Sequence, residues 1–301
     1  MTTSYRSYGL TISSEVVLPE LIPLQMGVVE DADVRIAFGK VDEASLARMS
    51  QFGRNLWAGE SVLCLQVPQV ARFLMREGKE ILIEPDAAAD EDEIRLYLLG
   101  SAFGVILYQR GFLVLHGNAI RVGDSCMVCL GHSGAGKSTL AAAFMRRGHQ
   151  ILSDDVTPID VECQALPGFP RIKLWQDAAE RMNINVSGLR RIRAGEEKFH
   201  LPATESYAVR PLPIKWIYVL ERGSLQDVQL EAMHGLERFR LLHQNTYRAG
   251  YLKALKFKGE HLKLCRMLSD RVRLARLVRP DSGDTVEELV ERILADVAEY
   301  P

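Results

Sequence analysis

GHSGAGKS, the stretch from Gly131 to Ser138, lies directly after the apolar run SCMVCL of residues 125–130. It matches the pattern G-x-x-x-x-G-K-[ST] at every fixed position, and a helical pattern that stops at Gly148 follows it. In such a loop the glycines let backbone N–H groups converge on an anion, and the following helix N-terminus favours negative charge. The stretch therefore predicts a phosphate-binding loop between a strand and a helix, in a domain of the α/β class.

The loop pattern also predicts what each part of the site binds. Lys137 is expected to neutralise the β- and γ-phosphates of ATP, and Ser138 to bind the Mg²⁺ that bridges them. The predicted nucleotide contacts run without a gap along the chain: Gly131, His132, Ser133, Gly134, Ala135, Gly136, Lys137, Ser138 and Thr139.

Two adjacent carboxylates end the next apolar strand, ILSDD at residues 151–155. A phosphate-loop protein needs one acid to hold the metal, and a kinase needs a second to accept a proton from the attacking hydroxyl. Of Asp154 and Asp155, one is therefore predicted to hold the metal and the other to be the catalytic base. A plain turn or helix-cap pair is the alternative interpretation.

The rest of the chain suggests two domains. Short apolar runs separated by turn signals fill the first ninety or so residues and predict a small strand-rich α+β domain at 1–93. The acidic stretch before residue 94 favours the start of a helix over residues 94–110. The catalytic domain is then predicted at 94–301.

Composition limits the class of protein. No run of about 18 apolar residues and no secretory pattern is present, so we expect a cytoplasmic protein without a membrane partner. The five cysteines suit buried thiols better than a disulfide framework or a metal site. Residues 236–276 carry a basic excess that can steer an acidic peptide or nucleic acid, although a solvated helix face explains it more simply. We expect no nucleic-acid partner.

At the level of motifs, the chain resembles the C-terminal catalytic domain of bacterial HPr kinase/phosphorylase. The resemblance covers His116-Gly117, the loop from Gly131 to Ser138, and Arg147-Gly148-His149 followed by Ser153-Asp154-Asp155. It implies a phosphate-loop kinase fold related to phosphoenolpyruvate carboxykinase and catalytic roles for His116 and Lys137. It also implies that Asp155 is the catalytic base, which leaves Asp154 to support the metal, and that the protein is a homo-oligomer, since the family often forms hexamers.

Two family stretches differ in this chain. Where the family has an acidic residue followed by I-R-G-L-G, residues 167–175 are PGFPRIKLW, and a family R-P-G-R-N stretch is matched only by Arg248-Ala249-Gly250. From the first difference we expect neither reversible phosphorolysis nor HPr as the substrate. The second makes Arg248 a candidate catalytic residue. The residues 167–175 look more like the kinases that phosphorylate a serine near the C-terminus of lasso-peptide precursors.

The predicted function is thus an ATP- and Mg²⁺-dependent serine kinase acting on a peptide or protein. A small-molecule kinase and an ATP-binding regulatory protein without transfer are the alternatives. Within residues 190–200, Arg193 and Lys198 belong to a predicted surface loop that can alternatively close over ATP.

Overall fold

The computed structural model describes residues 2–24, 29, 31–193, 195–281 and 283–300. The chain forms two compact units, Met1–Val114 with Tyr247–Leu262, and Leu115–Thr246 with Lys263–Pro301. Mixed α/β structure, predicted from the sequence, is confirmed. None of the helices in the described residues is long and apolar enough to cross a membrane.

The first unit is built on an eight-stranded sheet of order β1-β2-β3-β8-β7-β6-β5-β4. Its strands are β1 (Thr3–Ser7), β2 (Leu10–Ser14), β3 (Val34–Phe38), β4 (Ser50–Gln51), β5 (Leu56–Gly59), β6 (Val62–Val67), β7 (Ala71–Arg76) and β8 (Glu80–Pro85). Its helices include α1 (Glu43–Ala47), α2 (Glu91–Tyr97) and α3 (Phe103–Gln109), with a π-helical turn at Leu98–Ala102 joining the last two.

The helical stretch 91–109 decides where the first unit ends. From Leu98 to Tyr108 every residue is buried, and α3 and the π-helical turn both pack on β7. Burial on all sides ties this stretch to the strand-rich sheet. The division therefore falls after Val114 and differs from the predicted boundary after residue 93.

The second unit is built on a mixed sheet that includes several short strands, with a separate two-stranded sheet beside it in the chain order. Its elements are β10 (Gly117–Val122), β11 (Ser125–Leu130), α4 (Lys137–Arg146), β12 (Ile151–Ser153), β13 (Thr157–Ile159), β14 (Gln164–Ala165), β15 (Arg171–Trp175), α5 (Gln176–Arg181), β16 (Lys198–Pro202), β17 (Leu212–Gly223), β18 (Gln229–Ala232), α6 (Gly235–Gln244), β19 (Arg273–Pro280) and α9 (Val286–Glu299). Strand β9 (Leu113–Leu115) and helix α8 (Lys258–Arg271) cross the division, and α7 (Gly250–Ala254) belongs to the first unit.

Three parallel strands position the site of the second unit. Strand β17 pairs in parallel with β11 on one side and with β19 on the other. Helices α4 and α9 pack together over a core that includes Met127, Phe144, Tyr218 and Val290. The carboxyl ends of parallel strands meet at one edge of a sheet, where ligands commonly bind. The loop after β11 lies at that edge.

The apolar pattern of residues 236–257 predicts one helix, but the structure has two helices there. Helix α6 ends at Gln244 and α7 begins at Gly250. Arg248 lies in the break, with a left-handed φ of 45° that no helical residue adopts. Both helices carry an apolar face, so their combined pattern looks continuous in the sequence.

Candidate active site

The glycine-rich loop connects β11 to α4. Gly131 (φ 140°) cannot be replaced without strain, because a Cβ atom there would lie 2.5 Å from the Leu220 carbonyl oxygen. Gly136 takes a left-handed φ of 110° as the N-cap of α4, and no side chain caps that helix. The N–H groups of its first turn are thus available to an anion at the loop.

Lys137 is folded back onto the loop that precedes it. Its Nζ donates to the carbonyl oxygens of Gly131 at 2.6 Å and His132 at 3.1 Å. It also lies 3.4 Å from Nε2 of His116. Burial lowers the pKa of this ammonium, and the nearby Asp155 and Asp154 oppose that shift. An anion in the loop can replace these carbonyl contacts with stronger, charge-assisted ones.

Asp154 faces the first turn of α4. Its Oδ1 accepts from Asn118 Nδ2 at 3.1 Å and lies 3.4 Å from the Ser138 hydroxyl, while its Oδ2 accepts the Lys173 backbone N–H at 2.7 Å. Burial and the adjacent Asp155 raise the pKa of this carboxyl. A cation beside Ser138 would relieve the cost of keeping it ionised.

Asp155 faces a different set of partners although it is the next residue. It has a left-handed φ of 73°, which aspartate tolerates better than most residues. Its Oδ2 accepts from Lys173 Nζ at 2.7 Å, and its Oδ1 lies 3.2 Å from His116 Nδ1. Burial alone would raise the pKa of Asp155, but Lys173 and His116 hold it well below its ordinary value. The carboxylate is therefore ionised throughout the neutral range.

The neighbours of His116 assign its proton. Nδ1 lies 3.0 Å from the Asp155 carbonyl oxygen, so this nitrogen donates. Nε2 faces the Lys137 ammonium and accepts. The ring of His116 therefore lies between the loop lysine and Asp155, with Nδ1 directed at Asp155 and Nε2 at Lys137.

Two arginines hold the loop from the edge of the sheet. Arg222 and Arg279 are directly paired near the ends of β17 and β19. Arg222 Nη2 donates to the Gly134 carbonyl oxygen at 2.7 Å, and Arg279 Nε donates to that of Ala135 at 3.1 Å. Burial, followed by the charges of Arg222 and Arg181, lowers the pKa of Arg279. Such crowded cations favour an anionic ligand.

A cleft of about 420 Å³ gathers most of the predicted residues. Those that line it are His116, Ser133, Gly134, Gly136, Lys137, Ser138, Thr139, Asp154 and Asp155. His132 and Ala135 line a neighbouring cleft with Ser133 and Gly134. Arg248 belongs to the first unit, where its guanidinium lies over the Tyr247 ring, and its catalytic role stays a prediction.

Sequence reasoning missed several lining residues. Arg222 and Arg279 carry no motif and become neighbours of the loop only through the pairing of β17 with β19. Trp175 was missed as well. Lys198, which was predicted in a surface loop that can close over ATP, lies instead in strand β16, opposite Trp175 of β15. The alternation of Lys173 with Ile172 and Leu174 was the available signal for that strand.

The described residues contain no group of three or more His, Cys, Asp or Glu side chains suited to a metal. The cysteines in the described residues are buried and form no disulfide, and burial raises the pKa of Cys129 to about 12. The burial of the thiols, predicted from the sequence, is confirmed.

Comparison with known proteins gives little further information. No family model matches the chain, and neither does any curated protein. Among solved structures the chain is similar to the Hpr(Ser) kinase/phosphatase from Coxiella burnetii, with 14% identity, a TM-score of 0.33, and coverage of 62% of this chain and 93% of that one. At this TM-score the function has to be argued from the geometry of the site.

Proposed function

We propose that the protein is an ATP-dependent kinase that transfers the γ-phosphate of ATP to a serine hydroxyl of a peptide or protein. One observation carries the proposal: the loop lysine Lys137, the Ser138–Asp154 pair and the ionised Asp155 line a single cleft. A protein that only binds a nucleotide needs the first two. A transfer reaction also needs a base for the acceptor proton, and Asp155 can be that base.

The loop residues 131–139 would hold the triphosphate through backbone N–H groups, with Lys137 against the β- and γ-phosphates. Ser138 and Asp154 would hold Mg²⁺, which neutralises charge on the phosphate oxygens. Two protein ligands suffice for Mg²⁺ because it commonly keeps waters and substrate phosphates in its coordination shell. The short distance between Ser138 Oγ and Asp154 Oδ1 suits such a shared ion.

In the transfer step the serine oxygen forms a bond to the γ-phosphorus as the bond to the bridging oxygen of ADP breaks. Asp155 accepts the serine proton, and His116 holds its carboxylate through Nδ1. Lys137 stabilises the negative charge on the moving phosphoryl group. The catalytic role predicted for Arg248 rests on the resemblance alone. Because its pKa is low, Asp155 is ionised at neutral pH and has a free lone pair for the proton.

The proposed acceptor is a flexible segment, such as the C-terminal region of a lasso-peptide precursor, because a peptide can thread into a narrow cleft. The chain lacks the family's acidic stretch at residues 167–175, and we expect the reaction to run forward only. Homo-oligomer formation remains a proposal that rests on the resemblance.

The test incubates the protein and Mg-ATP with HPr, serine-bearing peptides and small hydroxyl compounds, and measures mass gains of one phosphate. Peptides that gain one phosphate with the wild-type protein but not with Lys137→Ala support the proposal. Labelling of small compounds alone points to a small-molecule kinase. Tight ATP binding with no labelled acceptor and no ADP formation points to a regulatory protein.

A further inference from the structure

Strands β15 and β16 form a two-stranded ribbon with two different faces. Ile172 and Leu174 point into the core that contains α4 and β11. The alternate residues Lys173 and Trp175 line the cleft, as does Lys198, which is paired with Trp175 across the ribbon. The pleat thus aims three functional side chains at the transfer site.

The Trp175–Lys198 pair has features of a binding surface. Trp175 is 42% exposed, which is unusual for a large aromatic side chain in a charged cleft. Lys198 Nζ lies 5.2 Å from the centre of its ring. Among the described residues no carboxylate lies within ion-pair distance of Lys198, whereas Lys173 beside it is paired with Asp155.

The charge balance of the cleft leaves a place for one more anion. Six Lys and Arg side chains and three Asp side chains line it, which gives +3 when His116 is neutral. Mg-ATP, at a net charge of about −2, leaves about one positive charge without a partner. A second anionic group on the acceptor would complete the balance.

The ribbon also gives the distance between this second anionic group and the hydroxyl that accepts the phosphate. Lys173 contacts Asp155, the proposed base, and Trp175 is two residues further along the same strand. At about 3.3 Å per residue, the Trp175–Lys198 pair lies roughly 7 Å beyond Lys173. An extended peptide covers the same distance in two residues.

We propose that Lys198 and Trp175 form an acceptor subsite that binds a carboxylate two residues from the phosphorylated serine. Lys198 pairs with the carboxylate, and the Trp175 ring covers the backbone between the two groups. The inference rests on the proposed function, since the acceptor hydroxyl is placed at Asp155.

The test uses short capped peptides with Ser-Gly-Asp and Asp-Gly-Ser cores and their Asn counterparts, which have the same shape without the charge. Binding is measured by tryptophan fluorescence in the presence of Mg²⁺ and a non-hydrolysable ATP analogue, and transfer by kcat/KM. Trp175→Phe identifies the responding indole. Lys198→Met is compared with Lys215→Met, since Lys215 lies over the Trp216 ring at 5.7 Å and does not line the cleft.

The expected result is a preference of about tenfold for one Asp peptide over its Asn partner. Lys198→Met should abolish that preference, and Lys215→Met should preserve it, with unchanged affinity for the ATP analogue in both. Equal binding of Asp and Asn peptides, or no binding of either, overturns the subsite. Weaker binding of the ATP analogue to Lys198→Met also overturns it, because the pair would then belong to the nucleotide. Failure of the proposed function would be visible separately, as the absence of ADP formation and of phosphate transfer to any acceptor by the wild-type protein.

Discussion

Replacing Lys173 by methionine removes one charge from the transfer site while keeping the length of the side chain. Its ammonium lies 2.7 Å from Asp155 Oδ2 and is the chief reason that the pKa of Asp155 is low. The substitution keeps the hydrogen bond that the backbone N–H of residue 173 donates to Asp154. The variant therefore tests the electrostatics of Asp155 with little other change.

The size of the destabilisation follows from the distance between the two charges. Opposite charges 2.7 Å apart attract by about 6 kcal/mol at an effective dielectric constant of about 20. The side chains are 15% and 27% exposed, so solvent screening and the cost of desolvating both groups cancel most of this attraction. We expect a net destabilisation of about 2 kcal/mol near neutral pH, or roughly 4–8 °C in Tm.

The dependence on pH has a definite sign. In the wild type the folded pKa of Asp155 is lower than the unfolded one, so the ionised carboxylate stabilises the fold at neutral pH, and this contribution fades as acid protonates it. Without Lys173 burial dominates and the pKa rises. The Tm deficit of Lys173→Met should thus be largest near neutral pH and shrink on acidification.

The assay is thermal unfolding of the ligand-free protein between about pH 8 and pH 4, with Lys173→Arg and Lys215→Met as controls. Lys173→Arg keeps the charge and should lose much less stability. Lys215 is exposed and its methionine variant should change little at any pH. A Lys173→Met deficit that is constant or grows in acid would refute the electrostatic account of Asp155.

Four further substitutions test the site and the strand beside it. Lys137→Ala should leave Tm nearly unchanged and reduce transfer by at least a hundredfold, measured with radiolabelled ATP; wild-type turnover would remove the loop from the mechanism. Asp155→Asn should bind Mg-ATP in calorimetry but not transfer phosphate. Asp154→Asn should weaken Mg²⁺ binding and raise the Tm of the ligand-free protein, because burial raises the pKa of that carboxyl. The reverse pattern would exchange the roles of the two aspartates. Gly117→Ala should lower Tm by several degrees, since its Cβ would lie 2.5 Å from the Cys129 carbonyl oxygen, and an unchanged Tm would contradict that contact.

The elements next to the loop were predictable because their signals are local. Strand β11 has the predicted bounds 125–130, and α4 ends beside Gly148, whose φ of 87° is the left-handed C-cap conformation. Strand β10 was not predicted. It is buried along most of its length, so its sequence lacks the alternation that marks a half-exposed strand.

The cationic side of the site depends on contacts that are distant in sequence. Arg279 contacts the Ala135 carbonyl oxygen from 144 residues away, and Arg222 contacts Gly134 from 88 residues away. Neither arginine has a distinctive neighbour in the sequence. Only the parallel register of β11, β17 and β19 places them at the loop.

The two adjacent aspartates show why the division of roles needs the structure. In sequence they are equivalent, and either can be the base. The fold gives Asp154 the partners Asn118 and Ser138, which are neutral, and gives Asp155 the cation Lys173. Their pKa values move in opposite directions as a result. Groups whose environments separate their pKa values in this way commonly take different roles in one reaction. The carboxyl that lacks a cationic side-chain partner suits the metal, and the one already ionised suits the proton.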